Sequence, residues 1–158
     1  MRERELRIFD VRQFNKSIGS LGFGSAPGVL TPHFDADTKL VFLCGRGEGT
    51  VYTIDMSQDK APFHSNLITG KVQEKEPHTS ACLAPKRSLQ VLDCEVDRLY
   101  RVLKSSVQLV HFHVNRVNKD LFHEDLFPPT PSSASSYAQD FFAGNPCNPP
   151  HLASLEPK

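Results

Sequence analysis

The sequence predicts an all-β fold, a partial β-propeller of four-stranded antiparallel blades, followed by a C-terminal extension that contains a short helix. Residues 28–55 are organised as three short strands joined by two tight turns. The middle strand, Leu40–Cys44, is an unbroken apolar run, which is typical of a strand covered on both faces. Such a meander needs a sheet on each side, and radially stacked blades provide that arrangement.

A second set of strands follows the first at the spacing of a repeat. Val29 and Ala81 occupy equivalent places in the two sets, near the repeat of roughly 40–50 residues expected of propeller units. The second set is predicted to have strands at 79–84, 89–94, 99–103 and 107–114. We therefore predict the closing strand of an incomplete blade in 1–14, blades in 28–69 and 79–114, and the extension in 116–158.

The turns of the first meander follow from their side chains. Asp35 and Asp37 can bond their own backbone and favour a turn after the strand Val29–Phe34. The glycines of Gly45–Gly49 reverse the chain before the alternating strand Thr50–Asp55, because glycine takes positive φ freely.

The remaining segments of the N-terminal half are less regular. Glu5–Arg12 alternates like the closing strand of a WD-type blade, with Phe9-Asp10 where Trp-Asp is usual, so the chain is expected to begin within a blade and to be a fragment. Gln13–Ala26 is predicted to be a connection, Ala61–Thr69 an outer strand with Pro62 near its start, and Lys71–Pro77 a charged loop.

The extension carries apolar side chains that are flanked by acidic residues. Leu121, Phe122, Leu126 and Phe127 cannot form a core alone and are expected to dock on an apolar surface. Ser133–Gly144 is predicted to be a helix in which Phe141 lies four residues after Tyr137, with Gly144 as its C-terminal cap. Phe141 is therefore included among the docking residues.

Composition excludes several classes of function. Lysine plus arginine equals aspartate plus glutamate, 18 each, so no net field favours nucleic acid or an anionic membrane. The N-terminus shows no signal peptide, and no run approaches the roughly 20 apolar residues of a membrane helix. The four cysteines have no close paired spacing, which indicates reduced thiols. We expect a cytoplasmic protein without a cofactor.

Three patterns resemble chemical sites and are better explained structurally. His111 and His113 share a strand face, but no third metal ligand is indicated, so we expect no metal. Asp35 and Asp37 lack the later ligands of a calcium loop. The glycines of Gly45–Gly49 precede no helix that could bind phosphate. Because no nucleophile–base pairing is present either, no catalytic residue is predicted.

A basic rim is the candidate surface for a partner. Five basic residues lie in turns or loops at predicted strand ends, where propellers bind partners: Arg46, Lys86, Arg87, Arg116 and Lys119. The alternative is that these charges are solvated and serve solubility.

The sequence resembles the C-terminal part of the coronin family from about Glu5 to Leu155. GVLTPHFDADTKLVFLCGRGEG, PKRSL followed by Val91 and Cys94-Glu95, and above all DLFHEDLFPPT are similar to coronin motifs. Pro129 stands where the family has Asp, and Phe141 where it often has Trp. The sequence of residues 28–49, together with the lack of a heptad coiled coil at the end of this sequence, favours the tandem-propeller branch of the family (the coronin seven type).

The resemblance implies a non-catalytic scaffold that binds F-actin, is associated with the cytoskeleton, and acts in cytoskeletal organisation or trafficking. It also implies that the extension runs as a strap across one face of the propeller. The alternative is a propeller adaptor in Golgi or vesicle trafficking, or in ubiquitin-ligase scaffolding, without actin contact. A metal-dependent enzyme using His111 and His113 is a third hypothesis. As isolated blades with unpaired edges, the chain is predicted to self-associate.

Overall fold

The described residues of the computed structural model are 3–56, 68–118, 121–132, 138–145 and 150–157. They form antiparallel strands, two 3-10 turns (Lys86–Ser88 and Val91–Asp93) and one short helix, so the all-β expectation is confirmed. The elements in chain order are β1 Glu3–Asp10, β2 Gln13–Ser25, β3 Leu30–Phe34, β4 Leu40–Gly45, β5 Glu48–Asp55, β6 Ile68–His78, β7 Ser80–Leu83, β8 Glu95–Val102, β9 Val107–His113, β10 Thr130–Pro131, α1 Ala138–Phe142 and β11 Leu152–Ala153. No helix in these ranges is long and apolar enough to cross a bilayer.

The described strands form four antiparallel sheets. β1 pairs with β2, β3–β4–β5–β6 form a four-stranded sheet, β7–β8–β9 form a three-stranded sheet, and β10 pairs with β11. The chain divides into two compact units: Met1–Leu83 with Leu99–Val110, called unit 1, and Ala84–Arg98 with His111–Lys158, called unit 2. The division therefore runs through the sequences of β8 and β9.

The predicted first meander is confirmed as β3, β4 and β5. Asp35 accepts hydrogen bonds from the backbone N–H of Thr38 at 2.9 Å and from the Thr38 hydroxyl, which closes the first turn as its side chain predicts. Gly47 has φ +82° in the second turn, a conformation that glycine adopts without steric cost. Phe42, Leu43 and Cys44 are consecutive and all buried, so β4 is covered on both faces.

Unit 1 has its core on the four-stranded sheet. Leu43 and Ile54 are buried at its centre. Leu6 of β1 and Phe23 of β2 pack against them, and the Phe23 ring meets Tyr52 edge-on at 4.9 Å. The β1–β2 hairpin thus contributes one face to this core.

Three predicted assignments were wrong. Gln13–Ala26 is not a connection, because Gln13–Ser25 forms the long strand β2. Lys71–Pro77 is not a loop, because it lies inside β6, which pairs with β5. Leu89–Cys94 is not a strand, since a 3-10 turn occupies Val91–Asp93 and Cys94 has φ +53°, which breaks extended backbone.

The predicted outer strand Ala61–Thr69 lies mostly outside the described residues; its described end, Ile68 and Thr69, belongs to β6. The predicted helix is α1, which the structure describes from Ala138 onwards, while residues 133–137 lie outside the description. Gly144 has φ +73°, and its N–H bonds the carbonyl of Phe141 at 3.1 Å, as expected of a C-terminal cap.

Candidate functional site

One aromatic side chain of the extension is buried in the core of unit 2. Phe127 is 4% exposed and packs with Val91 and Val96 in a buried cluster. Phe122 stacks on Phe127 with ring centroids 5.8 Å apart, and Leu126 packs against the same cluster. We call these residues, Val91, Val96, Phe122, Leu126 and Phe127, the docking cluster.

The other two predicted docking residues lie elsewhere. Leu121 is 61% exposed and Phe141 is 64% exposed, and neither belongs to the docking cluster. Phe141 meets Phe142 edge-on at 5.6 Å on α1. The structure thus brings together three of the five predicted docking side chains.

The predicted basic-rim residues that the structure describes differ in location and in exposure. Arg46 is exposed in the β4–β5 turn of unit 1, and the other described members belong to unit 2. The Lys86 ammonium donates to the Val96 carbonyl at 2.7 Å and to Asp97 Oδ1 at 2.9 Å, and its side chain is only 14% exposed. Lys86 therefore holds the turn before β8 and offers little charge to a partner.

The two arginines of the rim in unit 2 tie the extension. Arg87 donates from Nη1 to the Ser132 carbonyl at 3.3 Å, which links the 3-10 turn Lys86–Ser88 to the residue that follows β10. Arg116 forms a partly exposed ion pair with Asp125 inside the extension. Lys119 lies outside the described residues.

A buried carboxylate that the sequence reasoning missed lies at the start of β8. Glu95 is fully buried and accepts a two-pronged bond from Arg98, 2.7 Å from Nε to Oε1 and 2.5 Å from Nη2 to Oε2. The Gln90 N–H bonds Oε2 at 2.7 Å, and His111 Nδ1 lies 2.6 Å from Oε1. Burial raises the pKa of Glu95, but these bonds outweigh it and lower the pKa to about 2.

The sequence feature that could have revealed this cluster is the segment EVDRLYRV, in which charged and apolar residues are interspersed. Such charges are expected to be partnered if that strand is buried. Because both Glu95 oxygens already accept bonds and its pKa is about 2, this carboxylate stays ionised at neutral pH and does not deliver a proton.

A second buried network in unit 1 surrounds Arg101, which is 0% exposed. Its guanidinium donates to the Glu76 carbonyl at 2.7 Å, to Gln108 Oε1 at 2.5 Å and to His78 Nδ1 at 3.3 Å. Burial, and then the charge of Arg101, lowers the pKa of His78. His78 is therefore held neutral with Nδ1 as acceptor.

The described residues contain no cluster of three or more His, Cys, Asp or Glu side chains placed to hold a metal ion. Of the three cysteines that the structure describes, Cys44 and Cys94 are buried, Cys82 is exposed, and all three are free thiols; Cys147 lies outside the described residues. Burial raises the pKa of the Cys44 thiol to about 11.

Residues 107–149, from β9 into the extension, match the family model described as a type of WD40 repeat. Coronin-A from Dictyostelium discoideum is 30% identical over 148 residues, which cover 93% of this chain and 32% of the relative. Coronin-7 from Mus musculus is 32% identical over 162 residues, which cover 96% of this chain and 17% of the relative. The chain thus spans about a third or less of the length of these curated relatives.

The crystal structure of the WD40 domain from Toxoplasma gondii coronin superposes with a TM-score of 0.80 at 26% sequence identity. The match covers 98% of this chain and 39% of that chain. It confirms the predicted fold class, an all-β partial propeller of WD40 type. Since the identities to Coronin-A and Coronin-7 are nearly equal, the tandem-propeller branch stays a prediction.

Proposed function

Since this chain is a member of the coronin family, we propose that it is a non-catalytic, cytoplasmic scaffold that binds F-actin in cytoskeletal organisation or trafficking. The observation that carries the proposal is the similarity to two coronins over 93% and 96% of the chain. The same stretch has the fold of a coronin WD40 domain.

The chemistry of the buried groups supports a role in binding. Glu95 is saturated by hydrogen bonds, and the His78–Arg101 pair is sealed from solvent. Ionisable groups in such positions stabilise the fold and do not reach a substrate. The surface of the described residues is therefore the part of the chain that can contact other molecules.

For actin binding we propose Arg46 in unit 1 and, separately, Arg87 and Arg116 in unit 2 together with Lys119. Lys86 is removed from the sequence-based set, because its side chain is only 14% exposed and its ammonium is bonded to Asp97 and to a backbone carbonyl, whereas Arg87 is exposed and the Arg116 side chain is 38% exposed. Exposed charges such as those of Arg46 and Arg87 guide association with an acidic filament, and their effect is weakened by salt.

Co-sedimentation with F-actin tests the proposal. We expect the chain to pellet with filaments at about 0.05 M salt and to lose binding as ionic strength rises, since screening shortens the reach of surface charges. Arg46→Glu and Arg87→Glu should each weaken binding by about two- to fivefold, the effect of losing about 0.5–1 kcal/mol of rim electrostatics. Lys16→Glu is the control, because Lys16 is an exposed lysine of β2 outside the proposed contact.

Two outcomes contradict the proposal. If the chain stays in the supernatant at low salt while circular dichroism shows folded β-structure, actin binding is wrong. The adaptor in Golgi or vesicle trafficking, or in ubiquitin-ligase scaffolding, then becomes the working hypothesis. If Lys16→Glu weakens pelleting as much as the two arginine variants, the contact is not at the named residues.

A further inference from the structure

The two histidines of β9 project from its outer face as a pair. His111 and His113 stack with ring centroids 6.1 Å apart and an angle of 22° between the ring planes. Phe112 between them points the other way and packs against the docking cluster. The strand therefore anchors its inner face and presents the two imidazoles to solvent.

The hydrogen bonds of the pair determine where each ring carries its proton. His113 Nδ1 lies 3.1 Å from the carbonyl oxygen of Asp93, and a carbonyl only accepts hydrogen bonds. His111 Nδ1 lies 2.6 Å from Glu95 Oε1, and this oxygen also accepts a hydrogen bond from Arg98 Nε, so it is an acceptor as well. Both neutral rings consequently carry the proton on Nδ1 and leave Nε2 with a free lone pair.

Contrary to the sequence-based expectation that these two histidines bind no metal, we propose that His111 and His113 bind one divalent transition-metal ion, of the copper, nickel and zinc class, through their Nε2 atoms. Metal-binding histidines in proteins commonly donate their other ring N–H to a carboxylate or a backbone carbonyl, which fixes the ring and raises its basicity. Both kinds of acceptor are present here, one on each ring. Imidazole suits this class of metals, and copper is held most tightly along the series.

The same tautomers argue against an anion at this position. A neutral ring with its proton on Nδ1 has no Nε2–H to donate, so phosphate or carboxylate finds no donor on either ring. The charges beneath the pair are close to balanced, because Arg98 is bonded to the same Glu95 oxygen as His111. A cation therefore meets no uncompensated positive charge from this network.

The distance between the rings is compatible with a shared ion. Metal–nitrogen bonds of about 2.0–2.1 Å at a tetrahedral angle place two imidazole centroids about 5 Å apart. The observed 6.1 Å is about 1 Å longer, so binding one ion requires the two rings to turn until their Nε2 atoms converge. Because the described residues hold no third protein ligand near the pair, water completes the coordination shell, and the site is an exposed, two-histidine one.

Calorimetric titration of the full chain with CuCl2, NiCl2 and ZnCl2 at about pH 7.5, where neutral imidazole is available, tests the site. The informative variants are His111→Asn and His113→Asn, since an asparagine amide can replace the Nδ1–H donor while removing Nε2. His151→Asn is the matched control, because His151 is an exposed histidine outside the pair. Electron paramagnetic resonance of the copper complex counts the nitrogen ligands.

We expect one copper ion per chain with two nitrogen ligands, at least about tenfold weaker binding in each asparagine variant, and unchanged binding in His151→Asn. Wild-type chain that binds no copper, or either variant with wild-type affinity, overturns the proposal. So does a one-nitrogen spectrum. If His111→Asn fails to fold by circular dichroism, His113→Asn decides alone, because the Nδ1 contact of His113 is with backbone only.

Discussion

Phe127→Ala is the sharpest test of how the extension is held. A buried phenylalanine removes about 150–250 Å² from water, which at about 25 cal/mol per Å² amounts to about 4–6 kcal/mol as an upper estimate. Truncations of this kind cost about 3–5 kcal/mol in measured series. Since Phe127 is 4% exposed and lies between Val91 and Val96, we expect the full effect here.

Urea unfolding followed by circular dichroism measures the loss. At a slope of about 2 kcal/mol per molar urea, the midpoint should fall by about 2 M. Limited trypsinolysis supplies a local readout, because Arg116 and Lys119 lie just before Phe122 in the extension and should be cut faster once the extension is released.

Phe141→Ala is the matched control, with the same chemical change at a residue 64% exposed. It should change stability by less than about 0.5 kcal/mol. Equal midpoints and equal cleavage rates for the two variants would refute the reasoning, since they would mean that Phe127 does not carry the docking energy.

The remaining predictions concern the two sheets and their edges. Because the pKa of Glu95 is about 2 in the fold and 4.5 is its ordinary value, the stability that Glu95 contributes is complete above pH 4.5 and is lost as the pH falls towards 2. Glu95→Gln should therefore flatten that part of the curve of unfolding free energy against pH. If the free energy of the variant fell with pH as steeply as that of the wild type, the prediction would be contradicted. A Cβ on Gly49 would lie 2.1 Å from the backbone oxygen of Glu74, so Gly49→Ala should destabilise the chain by about 2 kcal/mol or more in thermal unfolding. Gly22→Ala, where a Cβ meets nothing within 4 Å, is its control and should be nearly neutral, and similar losses in both would exclude the clash. The exposed, edge-strand Leu109 should promote self-association, so Leu109→Lys should lower the sedimentation coefficient at high protein concentration, and a compact wild-type monomer would contradict the idea.

The first meander could be predicted because its determinants are local. Asp35 bonds within its own turn, and Gly47 supplies a conformation that other residues avoid. The apolar run of β4 also reports its burial directly. Patterns of this kind need no knowledge of distant partners.

The segments that were assigned wrongly depend on residues far away in the sequence or on a single backbone conformation. β2 is rich in serine and glycine and becomes a strand by pairing with β1, and β6 carries charges because it is an edge strand of its sheet. Around Leu89–Cys94, apolar composition indicated a strand, but the backbone turns at Cys94. In each segment, tertiary pairing or a single backbone conformation overrides composition.

The candidate site was predicted only in part for a similar reason. Phe122, Leu126 and Phe127 are recognisable as apolar groups in need of cover, and the structure places them in the docking cluster. Lys86 looked available because it lies in a turn, and its bond to Asp97 depends on residues brought together by folding. Glu95 likewise becomes informative only when Arg98 and His111 converge on it.

Because the cysteine thiols of the chain differ in burial, their alkylation rates report on the opening of its sheets. With a pKa of about 11, Cys44 has a thiolate fraction on the order of 0.01% at pH 7, and the residue is buried in β4. An alkylating reagent therefore modifies exposed Cys82 early and reaches Cys44 only when the sheet opens. In a chain with Cys94 and Cys147 replaced by serine, mass spectrometry of the slow alkylation step at Cys44 measures the opening rate of unit 1.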